Sequence, residues 1–187
     1  LKALGYNEQA AHSIHFSYEM VALSPRTCVE MGIELSDEDK ARPYVEVSGR
    51  KGLGVKADDL IDKLIASELD EVRSRNGDAS AADQQRVAET IATGALRYFM
   101  LKFTRNTVIA FDFQEALSFT GETGPYAQYS AVRAAKILAK AGELPDFGAV
   151  LTADVFARLL EDENLWQYLL AVSKTDQAVA AALAAGE

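Results

Sequence analysis

Ser48-Gly49-Arg50-Lys51-Gly52-Leu53-Gly54 sets a hydroxyl and two cations among three glycines. Glycines let backbone amides approach an anion closely, and the arginine and lysine add charge and reach. A strand that empties into such a loop and is followed by a helix is a common way to hold phosphates. Ser48, Gly49, Arg50, Lys51 and Gly52 are therefore candidate phosphate contacts. The Gly-Lys-Ser/Thr ending of a P-loop is missing, and a solvated basic turn remains the plainer alternative.

A second group lies on the helix expected after Pro125. Tyr126, Tyr129, Arg133, Lys136 and Lys140 fall at spacings of three, four, three and four, so they share one face. Aromatic rings beside a cationic stripe suit a ribose-phosphate backbone, through stacking and charge neutralisation. Ala127, Ala131, Ala134 and Leu138 form another face suited to packing. The competing reading buries both tyrosines and leaves the cations as a solvated face. Lys102 and Arg105 could touch phosphates, or serve as favourable cations at a helix C-terminus. Trp166, Tyr168 and Leu169 read as core, and His12 and His15 as structural histidines. No nucleophile, base and orienting group come together in the sequence.

These residues need elements to hold them. A helix end is expected over residues 5–12, and a short strand over His15–Val21 leading to a turn at Ser24-Pro25. Ser36–Lys40 reads as a charged loop or a single helical turn, and Tyr44–Val47 as a strand running into the glycine-rich loop. Leu60, Ile61, Leu64, Ile65, Leu69 and Val72 recur at helical spacing, with Asp58 and Asp59 favouring the N-terminal end. Asn76-Gly77-Asp78 breaks that helix. Another begins near Ser80, with Val87, Ile91, Gly94, Tyr98 and Leu101 on one stripe. Gly94 within it costs roughly 1 kcal/mol relative to alanine, which points to close packing there. Thr107–Phe113 is expected to cross between domains. A helix starts after Gly124-Pro125 and runs to about Gly142, and two or three shorter helices occupy 152–185.

Composition bounds the possibilities. The chain has 187 residues, 49% hydrophobic and 25% charged, ordinary for a globular protein. A formal charge of −9 repels polyanions on average, so any nucleic-acid contact must rest on local basic patches. Cys28 is the sole cysteine, which excludes an intrachain disulfide and fits a reducing cytoplasm. It reads as a small, partly buried thiol. No metal site is expected, since Cys and His are not clustered. No stretch approaches the roughly 20 apolar residues of a membrane span. The chain opens without Met, and both ends look cut from something longer.

Read in order, several segments resemble arginyl-tRNA synthetases, class I aminoacyl-tRNA synthetases. His15-Phe16-Ser17-Tyr18-Glu19-Met20-Val21 is similar to a late strand of the catalytic domain, and Val47–Leu60 to the KMSKS loop and the helix after it. Gly94-Ala95-Leu96-Arg97-Tyr98-Phe99-Met100-Leu101 resembles the helix ahead of the anticodon-binding domain. The most specific block is Phe111–Tyr129, ending Gly124-Pro125-Tyr126-Ala127-Gln128-Tyr129. Together these cover about residues 12–142.

The resemblance implies a mainly α fold. Its parts would be the end of a Rossmann-type α/β catalytic domain (1–56), a helical connector (57–110) and the start of a helical anticodon-binding bundle (111–187). It implies attachment of arginine to its tRNA at the expense of ATP, with Mg2+, by a monomeric cytoplasmic enzyme with no DNA or membrane partner. The loop would close over the ATP phosphates, with Ser48 matching the signature serine and Arg50 and Lys51 supplying cations. Glu46 and Gly49 stand where the signature has lysines. Tyr126, Tyr129, Arg133 and Lys136 become candidate tRNA contacts. The class I His-Ile-Gly-His segment and most of the sheet are missing, so the chain alone is expected to be inactive. A non-catalytic helical module that binds RNA or protein is the alternative.

Overall fold

The structure, a computed structural model, describes residues 1–47, 54–143, 146, 148 and 152–185. Ser48, Gly49, Arg50, Lys51 and Gly52 lie outside the described residues.

After a 3-10 turn, Lys2–Leu4, come helix α1 (Asn7–His12), strand β1 (Val21–Leu23), helix α2 (Pro25–Glu30) and the short helix α3 (Asp37–Lys40). Two long helices follow, α4 (Ala57–Arg75) and α5 (Ala81–Leu101), then β2 (Ile109–Phe111), α6 (Phe113–Ala116) and α7 (Gly124–Ala141). Among the described residues, three further helices follow: α8 (Ala153–Glu161), α9 (Glu163–Ser173) and α10 (Thr175–Ala185). The starts of these helices are legible in side chains. Ser24, Ser36, Ser80, Asp112, Thr123, Thr152 and Asp162 each cap a helix by accepting a first-turn N–H. Pro25 and Pro125 occupy first-turn positions, where the missing N–H costs nothing.

β1 and β2 pair in parallel with Val21 opposite Ile109, Ala22 opposite Ala110 and Leu23 opposite Phe111. A sheet this small is marginal alone; α4 and α5, packed on each other as a hairpin, supply the apolar cover. Leu23, Cys28, Val45, Leu60, Leu64, Phe99, Phe111, Phe113 and Ala116 share one core. Phe111 sits at its centre, edge-on to Phe99 with ring centroids 5.1 Å apart and to Phe113 at 5.5 Å.

Several expected elements take another form. The strand expected over His15–Val21 is confined to Val21–Leu23, and the turn at Ser24-Pro25 is the start of α2. Tyr44–Val47 contracts to one antiparallel bridge, Val45 with Leu23. Thr107–Phe113 contributes β2 to the sheet, because its β-branched and aromatic side chains find the core that β1 already lines. On α5 the buried stripe is Gln84, Ala88, Ala92, Ala95 and Phe99, one position round from the expected one. Small alanines let α4 approach, and the larger Val87, Tyr98 and Leu101 stay outside.

The close packing expected at Gly94 is present. A Cβ there would stand 2.3 Å from Gln128 Nε2, and one on Gly124 would stand 2.7 Å from the Gly94 carbonyl oxygen. Past this crossing α7 is exposed along its length, so Ala127, Ala131, Ala134 and Leu138 do not pack as expected. Trp166, Tyr168 and Leu169 are likewise exposed rather than core. α8, α9 and α10 pack in succession, each on the next, with apolar faces left open.

Candidate functional site

Val47 and Gly54, which bracket the glycine-rich loop, line one cavity of about 390 Å³ together with Val21, Leu23, Leu60, Leu96 and Met100. Both ends of the loop therefore converge where the edge of the sheet meets α4 and α5. Lys56 precedes α4 as its N-cap residue, and Asp58 and Asp59 occupy the first turn. The loop thus leads into a helix whose start is fixed against the core through Leu60. The geometry of Ser48, Gly49, Arg50, Lys51 and Gly52 lies outside the described residues.

Beside the sheet, one carboxylate ties two helix starts together. Ser24 caps α2 by accepting from the Thr27 N–H at 3.1 Å, and its own hydroxyl donates to Asp112 Oδ2 at 2.6 Å. Asp112 caps α6, accepting from the Glu115 N–H at 3.0 Å. Arg26 Nε donates to Asp112 Oδ2 at 3.1 Å, and its Nη1 donates to Gln114 Oε1 at 2.5 Å. Thr27 Oγ1 accepts from the Phe113 N–H at 3.1 Å, completing the seam. Burial alone pushes the Asp112 carboxyl up. The Ser24 hydroxyl, the Glu115 N–H and the Arg26 guanidinium outweigh it and hold the carboxyl below its ordinary value. No role was assigned to Asp112 from sequence, although Asp-x-x-Glu at 112–115 is a helix-start signal that could have found it. Cys28, fully buried, has its thiol pushed up by burial and by Asp39. That is the signature of a packing residue, not a nucleophile.

The block Gly124-Pro125-Tyr126-Ala127-Gln128-Tyr129 divides by role. Thr123 Oγ1 accepts from the Tyr126 N–H at 3.2 Å and donates to the Ser118 carbonyl at 2.6 Å. Gly124 lies against the backbone of Gly94 and Ala95, Pro125 is fully buried, and Gln128 Nε2 donates to the Thr90 carbonyl at 3.2 Å. These residues anchor α7 to α5. Tyr126 and Tyr129 are 47% and 53% exposed, which removes the reading that buries both. Tyr129 lines an apolar groove against α5 with Val87, Ile91 and Val132. Arg133, Lys136 and Lys140 are exposed, and among the described residues none of them forms an ion pair. Lys102 and Arg105 are drawn to aromatic faces instead. Lys102 Nζ stands 4.4 Å from the Phe99 ring centroid, and the Arg105 guanidinium 5.9 Å from that of Phe16.

One helix joins these features. Leu96 and Met100 of α5 line the cavity at the loop, and Gly94 and Ala95 of the same helix hold α7.

No family model matches the chain. Individual relatives do. Arginine–tRNA ligase of Pyrococcus abyssi is 30% identical over 181 residues, 96% of this chain and 25% of that protein. Arginine–tRNA ligase of Deinococcus radiodurans is 38% identical over 144 residues, 76% of this chain and 20% of that protein. Among solved structures, Thermus thermophilus arginyl-tRNA synthetase superposes with a TM-score of 0.53 at 32% identity, covering 78% of this chain and 21% of that one. The mainly helical fold with a small parallel sheet is thus shared with a synthetase. The chain spans about a fifth to a quarter of the length of the curated relatives it matches. By sequence along most of its length, and by fold, the chain belongs to the arginyl-tRNA synthetase family.

Proposed function

We propose that this chain is the segment of an arginine–tRNA ligase that links the ATP-binding loop to the tRNA-facing helices. The observation that carries this is the double duty of α5, whose Leu96 and Met100 face the loop's two ends while Gly94 and Ala95 fix α7. In this reading residues 1–56 end the catalytic domain, 57–110 connect, and 111–187 begin the anticodon-binding bundle. Phe111 and Phe113 make the last seam a packed one.

Within the whole ligase, Ser48, Gly49, Arg50, Lys51 and Gly52 bind the phosphates of ATP, accompanied by Mg2+. Arg50 and Lys51 stabilise charge that builds on pyrophosphate as arginine is activated. Donors of this kind act most strongly where water is excluded, and a loop pinned at both ends can close as a lid. Tyr126 and Tyr129 offer rings, and Arg133 and Lys136 offer charge, to the tRNA backbone. In this reading the whole enzyme works as a cytoplasmic monomer.

Replacing Arg133 and Lys136 with alanine in the whole ligase tests the tRNA side. Each lost phosphate contact lowers the salt slope of binding by roughly one, so the double variant should lose about two and bind arginine tRNA more weakly. An unchanged slope and affinity would assign the α7 cations to solvation alone.

A further inference from the structure

The buried stripe of α4, at the end remote from the loop, holds a carboxylate with no evident purpose. Glu68 is only 4% exposed, yet its Oε2 is buried without a hydrogen-bond partner among the described residues. An unpaired buried carboxylate is costly, and native proteins keep one where something completes it. Its neighbours do not. Arg75, the nearest candidate, is committed elsewhere: its Nε donates to Glu71 Oε1 at 2.6 Å and its guanidinium lies 5.2 Å from the Phe119 ring centroid.

Glu68 lines an open cleft of about 720 Å³ between α4 and the α6 turn. Glu30, Asp70 and Glu71 line it as well, against only two cations, Lys63 and Arg75. Phe113 and Leu117 provide an apolar wall. Among the described residues no group of three or more His, Cys, Asp or Glu is placed to hold a metal ion. We propose that this cleft receives a guanidinium group, with Glu68 as its buried counter-charge. A guanidinium is flat and weakly hydrated, so it can lie along an apolar wall while its forked N–H donors meet carboxylates. Binding turns the Glu68 carboxylate toward the cleft and supplies the donors it lacks. Burial, and then the charge of Glu71, raise the Glu68 carboxyl above its ordinary value despite Arg75; a bound cation reverses that direction. The site stands apart from the ATP and tRNA roles and does not depend on them.

The guanidinium can come from a small free cation or from an arginine side chain of a polypeptide. Calorimetric titration of the 187-residue protein with methylguanidinium, and with arginine blocked at both ends by acetyl and methylamide groups, separates the two. Tighter binding of the blocked arginine identifies a polypeptide side chain, and tighter binding of methylguanidinium a free cation. Tetramethylammonium, a cation without N–H donors, should not bind. Glu68→Gln should weaken the guanidinium probes by about tenfold or more, and Lys63→Met should tighten them by about twofold. Carbon NMR of the Glu68 carboxyl should show its titration moving to lower pH when probe is added. Equal binding of tetramethylammonium, or a Glu68 titration that ignores the probes, would overturn the proposal even if Glu68→Gln failed to fold.

Discussion

Asp112 shows how one side chain can organise a seam. It is only 3% exposed, and it accepts from Ser24, Arg26 and the Glu115 N–H at once. Its depressed carboxyl fixes the sign of its pH dependence. The stability it contributes is fully present above the unfolded aspartate value of about 3.9, and is lost as pH falls through the lower folded value. Arg26 is half exposed, so the ion pair adds little, and the cap and the Ser24 bond carry most of the effect. Asp112→Ala should cost about 2 kcal/mol in urea denaturation at pH 7, and the gap should narrow at pH 3. Glu68 has the opposite sign. A raised carboxyl favours the folded state below the unfolded value and loses that advantage as pH rises, so Glu68→Gln should melt higher than the parent at pH 7.

Among the elements, α5 and α7 cross with their backbones in close approach. A methyl group on Gly94 meets the movable end of Gln128, whereas one on Gly124 meets the backbone of Gly94 and Ala95. Gly124→Ala should therefore destabilise more than Gly94→Ala, by about 1–3 kcal/mol for the former, measured by thermal unfolding. The sequence made much of this level legible. Helix starts were readable because Ser80, Thr123-Gly124-Pro125 and Ser36 are local signals, satisfied by N–H groups a few residues away. The strands were not, because β1 owes its length to β2, far along the chain, and not to its own alternation. The register of α5 was misread by one position because alanine, small and only mildly apolar, gives a weak periodic signal where it matters most. On α7, spacing put Tyr126, Arg133 and Lys136 on one face without deciding whether that face is buried, and the open Ala131–Leu138 face could not be foreseen. Periodicity reports that a face is apolar and not what covers it.

In the whole molecule, α5 connects the ends of the glycine-rich loop to α7, the helix proposed to face tRNA. A negative protein can still meet tRNA locally, since Tyr126, Arg133 and Lys136 are exposed on a helix anchored near its start. Recognition of the family came from ordered motifs. The role proposed for Arg50 and Lys51 rests on the loop's chemistry and on the resemblance of its position, because Glu46 and Gly49 stand where the signature has lysines. The decisive measurement is arginine-dependent ATP–pyrophosphate exchange by the whole ligase, with arginine tRNA present, comparing the parent with the Arg50→Ala, Lys51→Ala double variant. The account predicts a fall of about a hundredfold or more, the scale of losing a donor to developing charge. Exchange at the parental rate would contradict it.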